Sequence, residues 1–462
     1  MRTRRCLPLV SALALVVSVA ARAQEPAPGA SASGQTHAID LVTALELAGA
    51  NGVDVQIARE RLEAARAQAT SAVLAFLPWL SAGVAYRGHG DLIQDVVGNI
   101  VTADKSASLA GASLNLQIDV GEALFRSLAA KQTRLAAEHA LSGQRQETLL
   151  GAAQGYFDLL VGQASVAVAA EGLRISREYE EQLHRAVDVG IALKGDELRA
   201  KVQSQRNELA VKQAEESRRV LAARLAEALR LDPAVELVAT DAELVPLAVA
   251  GEVEAIEPLV AEALAARPEV SQAQALVRAA DETRKAVVYG PLIPTVAGLA
   301  LGGELSGGPD GAPTRSGGSK DYAAAVSWRL GPGGILDVGR TRAAKARLAE
   351  SQWTLEKQKD AIAREVVEAR TRVLSQASQL ETARGALAVA EEGLRLARAR
   401  TEFEVGVVLE NILAEEDQTR ARLDYVRAIG EYDKAQYELE RARGRLGRER
   451  SPASAIGGAP AP

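Results

Sequence analysis

The chain has 462 residues, carries 54 Lys and Arg against 60 Asp and Glu, and is only 3% aromatic. The acidic balance argues against a nucleic-acid partner, which would favour a basic surface. Scarce Phe, Tyr and Trp beside abundant alanine argue against an ordinary globular core and for helices packed closely along their length.

Residues 1–23 read as a secretory signal peptide. Arg2, Arg4 and Arg5 form a positive start, and Leu7 to Ala20 an apolar stretch too short for a membrane helix. Ala21-Arg22-Ala23 gives the cleavage pattern. The single cysteine, Cys6, lies inside this segment. The exported chain is therefore expected to have no disulfide, no thiolate metal site, no Cys nucleophile and no N-terminal cysteine to carry a lipid. Residues 24–38, rich in Pro, Ala, Ser and Gly, read as a flexible leader, and 448–462 as a disordered tail.

Between leader and tail the chain repeats itself. Val189-Gly190 recurs as Val405-Gly406, and Phe76-Leu77-Pro78 recurs at the same spacing as Leu292-Ile293-Pro294. Ala129-Ala130-Lys131 with Arg134-Leu135 and Glu138 recurs as Ala343-Ala344-Lys345 with Arg347-Leu348 and Glu350. The first repeat is placed at 39–231, the second at 255–447, with a linker over 232–254.

Each repeat predicts the same order. In the first, a helix over 40–75 stops at Pro78, strands follow over 79–90 and 106–119, and a very long helix runs over 121–188. Gly190 breaks it, and a return helix runs over 193–230 before Asp232-Pro233. The second repeat predicts a helix over 255–288, strands over 294–305 and 321–330, a long helix over 339–404, a break at Gly406 and a return helix over 409–445. In the second long helix Val366, Val373, Leu380, Leu387 and Leu394 recur every seven residues, with Ala369, Ala383, Ala390 and Ala397 along the seam and Gln376 as the exception. A sustained heptad predicts a long packed coil.

The strands alternate. Leu114, Leu116 and Ile118 are interleaved with Asn115, Gln117 and Asp119; Tyr322, Ala324, Val326, Trp328 and Leu330 with small or polar residues; Ala297, Leu299 and Leu301 with Gly298, Ala300 and Gly302. Segments of this length and pattern match transmembrane β-strands. Trp79, Tyr86, Tyr322 and Trp328 stand near strand ends, where membrane-girdle aromatics belong. The same alternation also fits a half-buried sheet in a soluble domain. If the strands do cross a membrane, four cannot close a barrel alone, and three chains would supply twelve.

The duplication, the two helix-to-strand junctions ending in Pro78 and Pro294, and the turns at Val189-Gly190-Ile191 and Val405-Gly406-Val407, in this order, resemble the TolC-like outer-membrane efflux proteins (outer membrane factors) over the whole exported chain. The resemblance implies a mainly α fold with a small β part. Long coiled-coil helices would form an α-barrel, and four strands per chain would join a trimeric twelve-stranded transmembrane β-barrel. It implies a homotrimer in the outer membrane of a Gram-negative bacterium, with most of the chain in the periplasm. Its partners would be outer-membrane lipid, a periplasmic adaptor (membrane fusion protein) and, through the adaptor, an inner-membrane pump of the RND or ABC type. The implied function is a passive exit duct in tripartite efflux or type I secretion.

On this view Val189, Gly190, Ile191, Val405, Gly406 and Val407 are adaptor-docking tips, although such turns also fit plain hairpin reversals. Members often carry lumen-facing acids just past the second tip. Glu415 and Glu416 are the candidates here, and a solvated outer face suits them equally. Asn411 stands near a position commonly acidic, and Gly331-Pro332-Gly333-Gly334 replaces a more direct passage from strand to helix, which leaves the preceding strand end open.

Enzyme motifs are missing. His37, His89, His139 and His184 have no metal-ligand spacing, Gly317-Gly318-Ser319-Lys320 lacks the order of a phosphate loop, and there is no G-x-S-x-G elbow. No catalytic residue, metal ligand or cofactor site is assigned, and the chain is expected not to be an enzyme. The rival reading is a soluble periplasmic coiled-coil adaptor or scaffold.

Overall fold

The computed structural model describes residues 36–241, 244–249, 255–309, 314–402 and 408–447. The signal peptide, most of the leader, the tail and the second tip at Val405, Gly406 and Val407 lie outside the described residues.

The first repeat starts with β1 (Thr36–Ile39), α1 (Leu41–Asn51) and α2 (Val53–Leu74). The sequence suggests one helix here, but Gly52 divides it. A Cβ at Gly52 would stand 2.7 Å from the Ala48 carbonyl oxygen and 2.8 Å from Thr148 Cγ2, so only glycine lets the joint sit against the long helix. The strands follow: β2 (Trp79–His89), the small hairpin β3 (Leu92–Gln94) and β4 (Ile100–Thr102), then β5 (Lys105–Asp119). The β3–β4 hairpin replaces what the sequence suggests is a plain loop. Asp95 closes its turn by accepting the N–H groups of Val97 (3.0 Å) and Asn99 (2.8 Å).

The long helix α3 (Val120–Asp188) has 69 residues and is roughly 100 Å long at 1.5 Å per residue. The return helix is α4 (Lys194–Leu229), followed by β6 (Glu236–Ala239). The second repeat comprises α5 (Ile256–Ala266), α6 (Pro268–Val288), β7 (Thr295–Pro309), β8 (Arg315–Ser327), α7 (Val338–Glu402) and α8 (Val408–Ala442).

Two domain boundaries need correcting. Residues 36–38 are not leader, because β1 pairs in parallel with β6, Thr36 opposite Glu236 through Ile39 opposite Ala239. The linker is likewise structured through β6, and its later part is stitched to the helices. Tyr156 donates to Asp241 Oδ2 at 2.7 Å, and Asp433 Oδ1 accepts the Leu247 N–H at 2.8 Å.

The apolar core falls into two clusters, one centred on each repeat, with Tyr437 of α8 joining the first. The first gathers Leu150, Ala153, Tyr156, Phe157 and Leu160 of α3, Leu225 and Leu229 of α4, Ala44 and Ala48 of α1, and Leu237 of β6. The second gathers Leu259 and Ala263 of α5, Val270 of α6, Ile362, Val366, Ala369 and Val373 of α7, and Ala435 and Leu439 of α8. The heptad of α7 is the seam of this second cluster and of its continuation: Val366, Val373 and Leu394 are buried, and Leu380 and Leu387 half-buried. Alanine at so many seam positions lets the backbones approach, which explains the low aromatic content.

The joint between α5 and α6 uses a different device from Gly52. Pro268 occupies the first position of α6, where a missing N–H costs nothing. Arg267, 1% exposed, is held by Glu269 (2.8 and 3.1 Å) and by Glu365 of α7. Arg441 also donates to Glu365 (2.8 Å), and Arg443 to Glu262 (2.9 Å). The second repeat thus bends around a buried charge network, and the first around a missing side chain.

Candidate functional site

The four long strands form one antiparallel sheet in the order β2-β5-β7-β8. Its registers run unbroken, so directly opposed residues share a face. One face carries Leu80, Val84 and Tyr86 of β2, Leu114, Leu116 and Ile118 of β5, Val296 and Ala300 of β7, and Tyr322, Ala324 and Val326 of β8. The other carries Ser81 and Arg87, Ser113, Asn115 and Gln117, and Ser319 and Asp321. On that polar face Asn115 donates to Ser81 Oγ at 3.0 Å and to Ser113 Oγ at 2.9 Å.

Much of the apolar face is solvent-exposed in the single chain: Tyr322 is 90% exposed and Val84 79%, whereas Leu116, Ile118 and Val296 are half-buried. The apolar stripe runs from Leu80, Ile118 and Val326 up to Val84 and Tyr322, with Lys320 and Glu304 standing on the same face towards the loop end; a stripe of this size is unstable in water and suited to lipid.

The register corrects one reading of the strands. Leu299 and Leu301 pair with Asn115 and Ser113, so they lie on the polar face rather than with Leu114 and Tyr322. Alternation within β7 gives the period but not the side; the side is set by its partner. The aromatic residues also divide. Tyr86 and Tyr322 stand on the apolar face. Trp79, opposite Asn115, starts on the polar one. Trp328 follows the end of β8, and its indole N–H donates to the Leu292 carbonyl at 3.3 Å. β8 ends at Ser327 instead of residue 330, because Gly331 and Gly333 take positive φ (98° and 76°) and Asp337 accepts the Gly333 and Arg340 N–H groups. The Pro-Gly segment is therefore a built turn that caps α7.

At the other end of the rod, the first tip is a well-formed helix stop. Gly190 takes φ +79°, its N–H donates to Val187 O at 3.0 Å, and the Ile191 N–H reaches Ala186 O at 2.8 Å. This pair of bonds with a left-handed glycine is a Schellman motif. It leaves Val189 (69%), Ile191 (78%) and Leu193 (74%) exposed together.

The sequence reading did not single out the clasp beside this tip. Glu197 of α4, 9% exposed, accepts from Lys194 at 2.5 Å and lies 3.1 Å from His184 Nδ1 of α3. The Lys194 hydrogen bond is the largest influence holding the Glu197 carboxyl below its usual range, with His184 adding to it. The four-residue helical spacing of His184 and Asp188 is visible in the sequence; the reach across the tip to Glu197 is not.

Glu415 and Glu416 part company. Glu416 is half-buried, whereas Glu415 is 4% exposed and turned into the protomer. Its Oε1 has no hydrogen-bond partner among the described residues. Burial pushes its carboxyl up to about 7, with Arg398 of α7 pulling the other way. Across from it, the Tyr179 hydroxyl of α3 is raised by burial and by the charges of Asp196 and Glu415, and lowered by a hydrogen bond to Asn411. Within the chain Glu415 belongs to the interface of α8 with α3 and α7.

A family model described as outer membrane efflux protein matches residues 44–229 and 259–445, one segment per repeat. The chain belongs to the outer membrane efflux protein family. It is an outer-membrane efflux channel protein, and the soluble adaptor or scaffold alternative is set aside. A membrane protein from Pseudomonas aeruginosa is similar in structure at TM-score 0.74 and 19% identity, over 87% of this chain and 93% of that one. The CmeC outer membrane channel of Campylobacter jejuni gives 0.72 and 15%, over 90% and 88%. The outer membrane protein VceC of Vibrio cholerae gives 0.71 and 18%, over 87% and 96%. A search of curated proteins by sequence finds no match. The efflux protein is thus mainly helical with a small sheet, the layout of a periplasmic helical part and a membrane sheet.

Proposed function

We propose that three copies of this chain close a twelve-stranded barrel and a helical tunnel, forming a passive duct through which a tripartite efflux or type I secretion system discharges. The observation that carries the reading is the sheet order. β2 and β8 are its two edges, and they run in opposite directions. An edge strand β2 of one copy can therefore accept β8 of the next in the same antiparallel sense, until no edge is left. Lipid would meet the face of Leu80, Leu114 and Tyr322, and the lumen the face of Ser81, Asn115 and Asp321.

Exposed aliphatic side chains on the rigid first tip favour docking of a periplasmic adaptor, which would link the duct to an RND or ABC pump. In this arrangement the chain supplies a path and a docking surface and does no chemistry. Opening of the periplasmic end requires the inner hairpin of α7 and α8 to move from its neighbours.

Cysteines scanned over Ala82–Tyr86 against Lys320–Ala324 test the closure. Oxidation is expected to yield covalent dimers and trimers on a denaturing gel. Only uncrosslinked monomer from protein extracted from the outer membrane would reject it. A cysteine pair joining neighbouring tips is expected to abolish transport, and normal efflux by the tethered trimer would reject the opening step.

A further inference from the structure

Four basic side chains meet at the loop end of the sheet, and they all fall on the polar face. Arg87 and His89 are separated by one residue in β2, and His89 is opposite Lys105 of β5. Arg315 of β8 is opposite Gly307 of β7, itself opposite Ala107. All four line one concavity of about 820 Å³, together with Leu305, Gly307 and Gly317.

The Arg and Lys cations are free among the described residues. The side chains of Arg87, Lys105 and Arg315 make no ion pair or hydrogen bond to any described residue, and His89 Nε2 is buried without a partner. The nearby carboxylates are engaged differently. Asp95 is held by its own turn, and Asp104 Oδ1 accepts the Asp91 N–H at 3.0 Å. Below the cations the same face carries a leucine row, Leu109 opposite Leu305 with Leu301 and Leu299 continuing along β7, flanked by the polar Ser113, Asn115, Ser319 and Asp321.

Unpaired cations clustered at the rim of a concave, low-dielectric wall concentrate anions. Arginine forks favour sulfonate, carboxylate and phosphate oxygens. The adjoining leucines would cover an apolar body, and a bare Gly317 leaves the space between them open: a Cβ there would touch nothing within 4 Å.

We propose that this inner face is a binding site for organic anions bearing an apolar body, with Arg87, Lys105, Arg315 and His89 taking the anionic group and Leu109, Leu299, Leu301 and Leu305 the body. The site sits at the exit end of the duct and biases what passes towards such anions. The inference rests on the proposal that the polar face lines the lumen.

The test is calorimetric titration of naphthalene disulfonate into the full-length protein in lipid nanodiscs. Saturable binding is expected, weakened at least about tenfold in the R87Q/K105Q/R315Q variant. The K131Q/K201Q/K345Q variant, which removes as many charges elsewhere, should bind as the parent does. Inorganic sulfate should bind at least about tenfold more weakly than the disulfonate. Absent binding, equal loss in both triple variants, or equal affinity for sulfate would overturn the site as described. Single-channel steps recorded from the same preparation separate the two proposals. Steps without binding overturn the site and leave the duct standing; binding without steps supports the site and counts against the duct.

Discussion

Replacing Glu415 by Gln should remove a pH-dependent weakness from the inner hairpin. Glu415 is 4% exposed with one carboxylate oxygen unpartnered, and its carboxyl is pushed from 4.5 to about 7. Groups around it come from two other elements, Tyr179 of α3 and Arg398 of α7, and the charge of Asp196 of α4 also acts on that tyrosine. Below pH 4.5 the carboxyl is protonated whether or not the hairpin is docked, and it makes no pH-dependent contribution. Between 4.5 and 7 the undocked chain ionises while the docked one holds its proton. Docking therefore weakens by about 1.4 kcal/mol per pH unit and levels off above 7. The accumulated cost is about 3 kcal/mol, roughly a hundredfold in the opening equilibrium. Hydrogen exchange over residues 408–420, corrected for intrinsic rates, reads this opening. In the parent, protection should fall by about two decades between pH 4.5 and 8; in E415Q it should stay level. Identical pH profiles in the two proteins would refute the reasoning.

Arg267→Ala should destabilise the protein by about 3–5 kcal/mol, because it leaves Glu269 and Glu365 without their buried cation; thermal unfolding followed by circular dichroism checks this. Gly190→Ala should cost about 1–2 kcal/mol at the tip, since its φ of +79° strains any residue with a Cβ, and proteolysis at the tip should rise accordingly. Cysteine at Leu301 should react with a membrane-impermeant maleimide in intact trimers, whereas cysteine at Leu114 should be shielded by lipid. The reverse pattern would invert the assignment of the two faces.

Much of the helical layout was legible because its cause is local. The seven-residue recurrence from Val366 to Leu394 predicts the α7 seam, and Gly190 and Pro78 end elements by backbone geometry alone. What was not legible depends on partners distant in the chain. Leu299 and Leu301 alternate well enough to look like a lipid face, and only pairing with Asn115 and Ser113 puts them on the polar one. Glu415 reads as a surface acid on a charged helix; its burial requires α3 and α7 to be in place. β1 looks like leader because four residues carry little pattern, and its partner β6 lies some two hundred residues away. The small β3–β4 hairpin leaves a fainter trace, Leu92-Ile93 and Ile100-Val101 flanking an Asp-to-Gly turn.

The central claim, that these chains assemble a water-filled duct across a membrane, is tested most directly by planar-bilayer recording of the purified protein. The account predicts discrete, long-lived conductance steps that appear only with the trimeric fraction. A protein that purifies from the outer membrane as a trimer, inserts, and passes no ions under any pH or voltage would contradict it.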